Sequence, residues 1–71
     1  MNYNDRRALA AVNHTAQYDA MVKDEIKKAI DSHDRAFFAQ VVSNVLYRLR
    51  ITVSDVRGFI DAAYEWFKNR P

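Results

Sequence analysis

The segment from Ala36 to Leu49, AFFAQVVSNVLYRL, limits the possible folds of this chain more than any other. Set on a helix at about 100° per residue, Phe37, Phe38, Val41, Val42, Val45, Leu46 and Leu49 cover about half the circumference. A surface helix needs only a narrower stripe, so this one must be covered from two directions and is expected to sit at the centre of the molecule.

The rest of the chain supplies helices to cover it. One glycine and one proline in 71 residues leave little material for tight hairpins, which argues against an all-β fold. The first segment is expected to be helical from about Asn4 to Ile30. Asn4 is positioned to cap it, with Asp5 beside the positive helix end. Asn13, His14 and Thr15 are all poor helix formers, so the pattern predicts a bend or restart at 13–15. Beyond it, Tyr18, Met21, Val22, Ile26, Ala29 and Ile30 are expected on one buried face. The central helix should span 34–50, capped by Ser32 or Asp34 and ending in Arg48 and Arg50 beside the negative pole. The β-branched stretch Ile51-Thr52-Val53 reads as an extended turn leading to Ser54 as the next cap. A last helix over 54–69 would bury Val56, Phe59, Ile60, Ala63, Tyr64 and Phe67. The expected fold is therefore all-α. It is a single domain over 1–71, a small three-helix bundle, or four with a short N-terminal helix, packed roughly antiparallel.

A chain of this size buries only about 60% of the surface its unfolded form exposes. Disulfides or a metal often compensate, but cysteine is absent and there are only two histidines. Self-association as a homodimer is the expected remedy, with the edge near Phe37 and Leu46 as its contact. The absence of cysteine fits a reducing cytoplasm. The longest uncharged run, Ala36 to Tyr47, has twelve residues and includes Gln40, Ser43 and Asn44, whereas a membrane span needs about 20 apolar ones. The opening MNYNDRRALAAV lacks the apolar core of a signal peptide. A cytoplasmic protein without a membrane partner is the reading that follows.

Chemistry-bearing patterns are sparse. Ser32-His33-Asp34 contains the residue types of a catalytic triad, but consecutive side chains do not converge as triad members must, and a capped polar turn explains them. Asp31, His33 and Asp34 are too few for a closed metal site. No catalytic, metal-binding or cofactor-binding residue is expected, and the chain is read as a non-enzyme. Eleven Lys and Arg against nine Asp and Glu give a net charge of only +2, with signs alternating as on solvated helix faces. Arg48, Arg50 and Arg57 nevertheless flank the second turn in a cadence suggestive of a helix–turn–helix. A small DNA-binding regulator is thus the second functional expectation. Against it stand Asp55, Asp61 and Glu65 on the helix that would meet phosphate.

The nine aromatic residues support the first expectation. Trp66 falls at the edge of the last helix's apolar arc, and Tyr47 lies opposite the core with Gln40 and Ser43. Partly exposed Trp and Tyr are enriched at interface hot spots because they bury large areas with little entropy loss. Gly58, on the outer side of the last helix, either is neutral or leaves room for another chain. Tyr47, Trp66, Phe37 and Leu46 are the candidate contacts with a larger protein, the chain acting as regulator, adaptor or inhibitor. Short motif-free regulators are common in phage and mobile-element genomes, a class expectation that no residue carries.

Overall fold

The computed structural model describes residues 1–70 and contains four helices: α1 (Tyr3–Tyr18), α2 (Ala20–Asp31), α3 (Arg35–Leu49) and α4 (Val56–Lys68). No strand occurs among the described residues.

The long first segment does break, but not at 13–15. α1 runs through Asn13, His14 and Thr15 because Val12 and Ala16 are buried on either side of them. Each of the three costs at most about 0.7 kcal/mol relative to alanine, whereas burying Val12 alone returns about 1.5–3 kcal/mol. Thr15 also donates its hydroxyl to the Ala11 carbonyl at 2.9 Å, one turn back. The break falls at Asp19, whose backbone is extended (φ −118°, ψ 102°). Its Oδ1 accepts from the N–H groups of Met21 and Val22, capping α2, and its own N–H donates to the Thr15 carbonyl, closing α1. The other carboxylate oxygen, Oδ2, meets Arg48 Nη2 of α3 at 3.2 Å. Tyr18 and Met21, expected in the core, are instead 79% and 71% exposed, because the corner turns them outward.

Of the other three caps, two differ from expectation by a residue or two and one, Asp34, is as expected. Asn2, not Asn4, caps α1 by accepting from the Asp5 N–H. Asp5 itself keeps one buried carboxylate oxygen without a hydrogen-bond partner, beside the positive end of α1. Asp34 caps α3 through the Phe37 N–H. Asp55, not Ser54, caps α4; Val56 then becomes the first helical residue and is half-exposed rather than buried.

Both turns around α3 end their preceding helix in the same way. His33 and Arg50 adopt left-handed backbone angles (φ 55° and 58°). After α2, the His33 N–H donates to the Ile30 carbonyl and the Asp34 N–H to that of Ala29. After α3, Arg50 donates to Tyr47 and Ile51 to Leu46. These paired bonds are Schellman closures, in which glycine normally takes the left-handed position. Ile51 packs against the core and Val53 is buried within it, so the extended α3–α4 connection contributes to the interior.

α3 is the hub. Phe38 and Val42 are among its fully buried side chains. Phe38 meets the ring of Tyr64 edge-on at 5.3 Å and that of Phe67 at 6.0 Å. The Asp19–Arg48 pair joins the start of α2 to the end of α3, and the turn Ser32–Asp34 joins their other ends, so the two run antiparallel. Arg35, at the start of α3, reaches Asp61 and Glu65 far along α4 (3.0 and 3.7 Å) and lies over the Tyr64 ring, which makes that pair antiparallel too. No charged or polar residue is buried among the described residues.

Two predictions follow from the turns and the corner. His33→Gly and Arg50→Gly should each stabilise the fold, by about 1 kcal/mol, since a Cβ is penalised in the left-handed region; urea melts of the two variants will show it as raised midpoints. Asp19→Ala should lower Tm by about 4–8 °C through loss of a cap. The backbone N–H of Val22, with help from Arg48, holds the Asp19 carboxyl below its ordinary 3.8. Its stabilising contribution is therefore complete above that value and fades as pH falls through the lowered one. Amide exchange at Met21 and Val22, compared with the rest of α2, should accelerate over that acid range in the wild type and be insensitive to it in Asp19→Ala.

Candidate functional site

α1 and α4 approach each other least of all the helix pairs. α4 rests on α3 and α2, and α1 rests on α2 and α3, which leaves a seam between α1 and α4. Trp66 of α4 stands in that seam, 41% exposed. On one side it closes a recess of about 280 Å³ with Arg6, Leu9, Ala10 and Asn13 of α1. On the other it borders a shallower hollow formed by Ala62, Glu65, Asn69 and Arg70. The indole is braced from beneath by Phe67, edge-on at 4.9 Å. The Arg70 guanidinium lies 5.5 Å from its ring centre and donates to Asn13 Oδ1 at 2.6 Å, tying the end of the chain across to α1. The result is a held, half-open indole with Arg70 beside it and Arg6 lining the same recess, the residue types that dominate interface hot spots.

The other residues singled out from sequence do not join it. Leu46 is only 5% exposed, because α3 turns it into the core beside Val42 and Val45. It is therefore a core residue of the folded chain and not a surface contact. Phe37 is half-buried at the core edge. Tyr47 is 87% exposed on the back of α3, with Gln40 and Ser43, and lines none of the recesses around Trp66. Periodicity placed Tyr47 and Trp66 on helix surfaces but carried no information on whether those surfaces adjoin. The seam residues Arg6, Ala10 and Asn13 were missed, since nothing in α1 alone marks them; the only local sign is that they share one side of that helix.

The three arginines of the nucleic-acid reading each have a separate local setting. Arg48 turns toward α2 and pairs with Asp19. Arg50 occupies the left-handed closure of α3. Arg57 lies over the α3–α4 groove with Arg35 and Asp61. In the Ser32-His33-Asp34 turn, Ser32 donates its hydroxyl to the Lys28 carbonyl and the Asp34 carboxylate accepts from Phe37, so both side chains are committed to helix ends. Among the described residues no group of three or more His, Asp or Glu gathers as a metal-binding set, and no helix is long and apolar enough to cross a membrane.

Gly58 has an internal explanation. It is the third residue of α4, and its N–H donates to the capping carboxylate of Asp55 at 2.9 Å. A Cβ at this position would lie 2.9 Å from the Asp55 carboxyl carbon and closer still to one of its oxygens. The Asp55 carboxylate thus occupies the space a Cβ would take, and a side chain here would require it to shift toward the arrangement seen at Asp5, Val22 and Phe37 in the other caps. No match to this chain was found among protein-family models, curated proteins or solved structures.

The Gly58–Asp55 relation is open to a double-mutant cycle. Gly58→Ala alone should be nearly neutral, its helix gain of up to about 1 kcal/mol offset by displacement of the cap. In an Asp55→Ala background the same change should stabilise by most of that amount. Additive chemical-denaturation energies would refute the coupling.

Proposed function

We propose that this protein is a non-catalytic interaction module that regulates a larger protein in the cytoplasm by docking through the α1–α4 seam around Trp66. The observation that carries this reading is the braced, half-exposed indole with Arg70 beside its ring and Arg6 lining the same recess. Isolated exposed residues such as Tyr47 are ordinary on protein surfaces. A tryptophan held in a recess with an arginine beside its ring is the arrangement from which hot spots are built. Arg48 is engaged by Asp19, and Arg57 shares its groove with Asp61. These two arginines of the DNA reading thus sit beside carboxylates that would repel phosphate, which favours a protein partner.

Covering the same seam with a second copy of the chain would make a homodimer. Sedimentation at micromolar concentration separates the two uses, since a dimer doubles the 8.3 kDa chain mass.

A partner retained on the immobilised chain should be a protein and should survive nuclease treatment. With that partner purified, Trp66→Ala should weaken binding by about 2 kcal/mol or more, while Tyr47→Ala leaves it nearly unchanged and both variants keep their helical spectrum. The reverse pattern would move the docking surface to the back of α3.

A further inference from the structure

A second recess adjoins the seam at the far side of Arg70. It is a cavity of about 400 Å³ beneath the end of α4, between α2 and the last turn of α1. Its floor is apolar: Ile26, Ile30 and Phe67, with Ala16 behind them. Its rim is cationic, carrying Lys23, Lys27, Lys68 and Arg70 against a single acid, Asp31. Asp31 is already engaged by Lys27 at 2.7 Å. Lys68 reaches Glu65 only at 4.0 Å, Arg70 bonds a neutral amide, and Lys23 makes no ion pair among the described residues. Three cations therefore border an apolar floor without a close anion, in a chain whose whole net charge is only +2. Cations gathered on one rim raise the local positive potential, which attracts an incoming anion.

We infer that this cavity receives an acidic segment of the protein partner, seating one Phe- or Leu-type side chain on Ile30 and Phe67 with neighbouring carboxylates on Lys23, Lys68 and Arg70. The inference rests on the docking reading above and adds the partner's chemistry to it. Arg70 serves both places, lining this cavity while it stacks near Trp66. The shape decides against a free small molecule. Such ligands are bound by burying about 70–90% of their surface, and this bowl is open along one side. A polypeptide needs only to insert a side chain here, since its remaining contacts lie along the seam. Nucleic acid would meet phosphate at the lysines but would leave the apolar floor uncovered.

The test is selection of random dodecapeptides displayed on phage against the immobilised full chain. A parallel selection uses Lys23→Glu/Lys68→Glu, whose two sites are exposed and leave the core intact. Recovered peptides should be enriched in Asp and Glu beside Phe, Leu or Trp. Synthetic copies should lose about tenfold or more in affinity on the double charge reversal and weaken as salt is raised. Amide shifts in the wild type should centre on Ile26, Ile30 and Phe67. Peptides without acidic enrichment, acidic peptides that bind the reversed variant equally well, or no recovered peptides at all would overturn the inference. So would stronger binding to phosphatidylglycerol vesicles or to a DNA duplex than to the peptides. Neutral peptides lost on Trp66→Ala but kept on charge reversal would overturn it while leaving the docking seam standing.

Discussion

The whole arrangement depends on one carboxylate at the corner between α1 and α2. An unbroken helix from residue 3 to residue 31 would be about 43 Å long at 1.5 Å per residue, yet the longest dimension of the molecule is 27 Å. A straight rod could lay only one stripe against α3. Asp19 ends one helix and starts the next within a single residue, and it anchors the junction to α3 through Arg48. The half-circumference apolar face of α3 is covered because that corner lets α1 and α2 approach it separately, with α4 completing the enclosure.

The corner also creates the surfaces of interest. With α1 and α4 each committed to α2 and α3, the gap between them is filled only by what α4 extends across it, namely Trp66 and Arg70. The cationic cavity lies at the end of the same gap, where α2 passes under the last turn of α4. Burial of the apolar stripes has priority in free energy, at about 25 cal/mol per Å². The exposed pairs around it, such as Lys27–Asp31 and Arg35–Asp61, are screened by solvent and contribute little beside it. The surface is therefore what remains after the core is satisfied.

Both closures around α3 adopt a conformation that glycine would take more readily, yet His33 and Arg50 occupy them. The single glycine is placed inside a helix instead, where the Asp55 carboxylate occupies the space a Cβ would take. Counting glycines is thus a poor guide to turns in this chain. Hydrogen bonding of the helix ends, supported by burial of Ile51 and Val53, outweighs the local backbone penalty.

Helical content, the central role of α3 and the outward faces of Tyr47 and of Arg57 were legible in the sequence, because periodicity reports which side of a helix its own residues require to be buried. The corner left a trace as well. An unbroken helix that buries Ala8, Val12 and Ala16 would also turn Lys23 and Lys27 inward, so the shift of the apolar phase to Val22 and Ile26 implies a break between them. Poor helix formers at 13–15 drew attention to the wrong place, since propensity is weak beside the burial of Val12. The sequence by itself determined that this chain is helical and which faces of each helix are apolar, since both are local properties of about one helical turn. Only the tertiary structure decided that Leu46 is interior, that Tyr47 and Trp66 line no common recess, and that Arg6 and Asn13 of α1 line one recess with the indole. Those are relations between helices, set by how four stripes share one core.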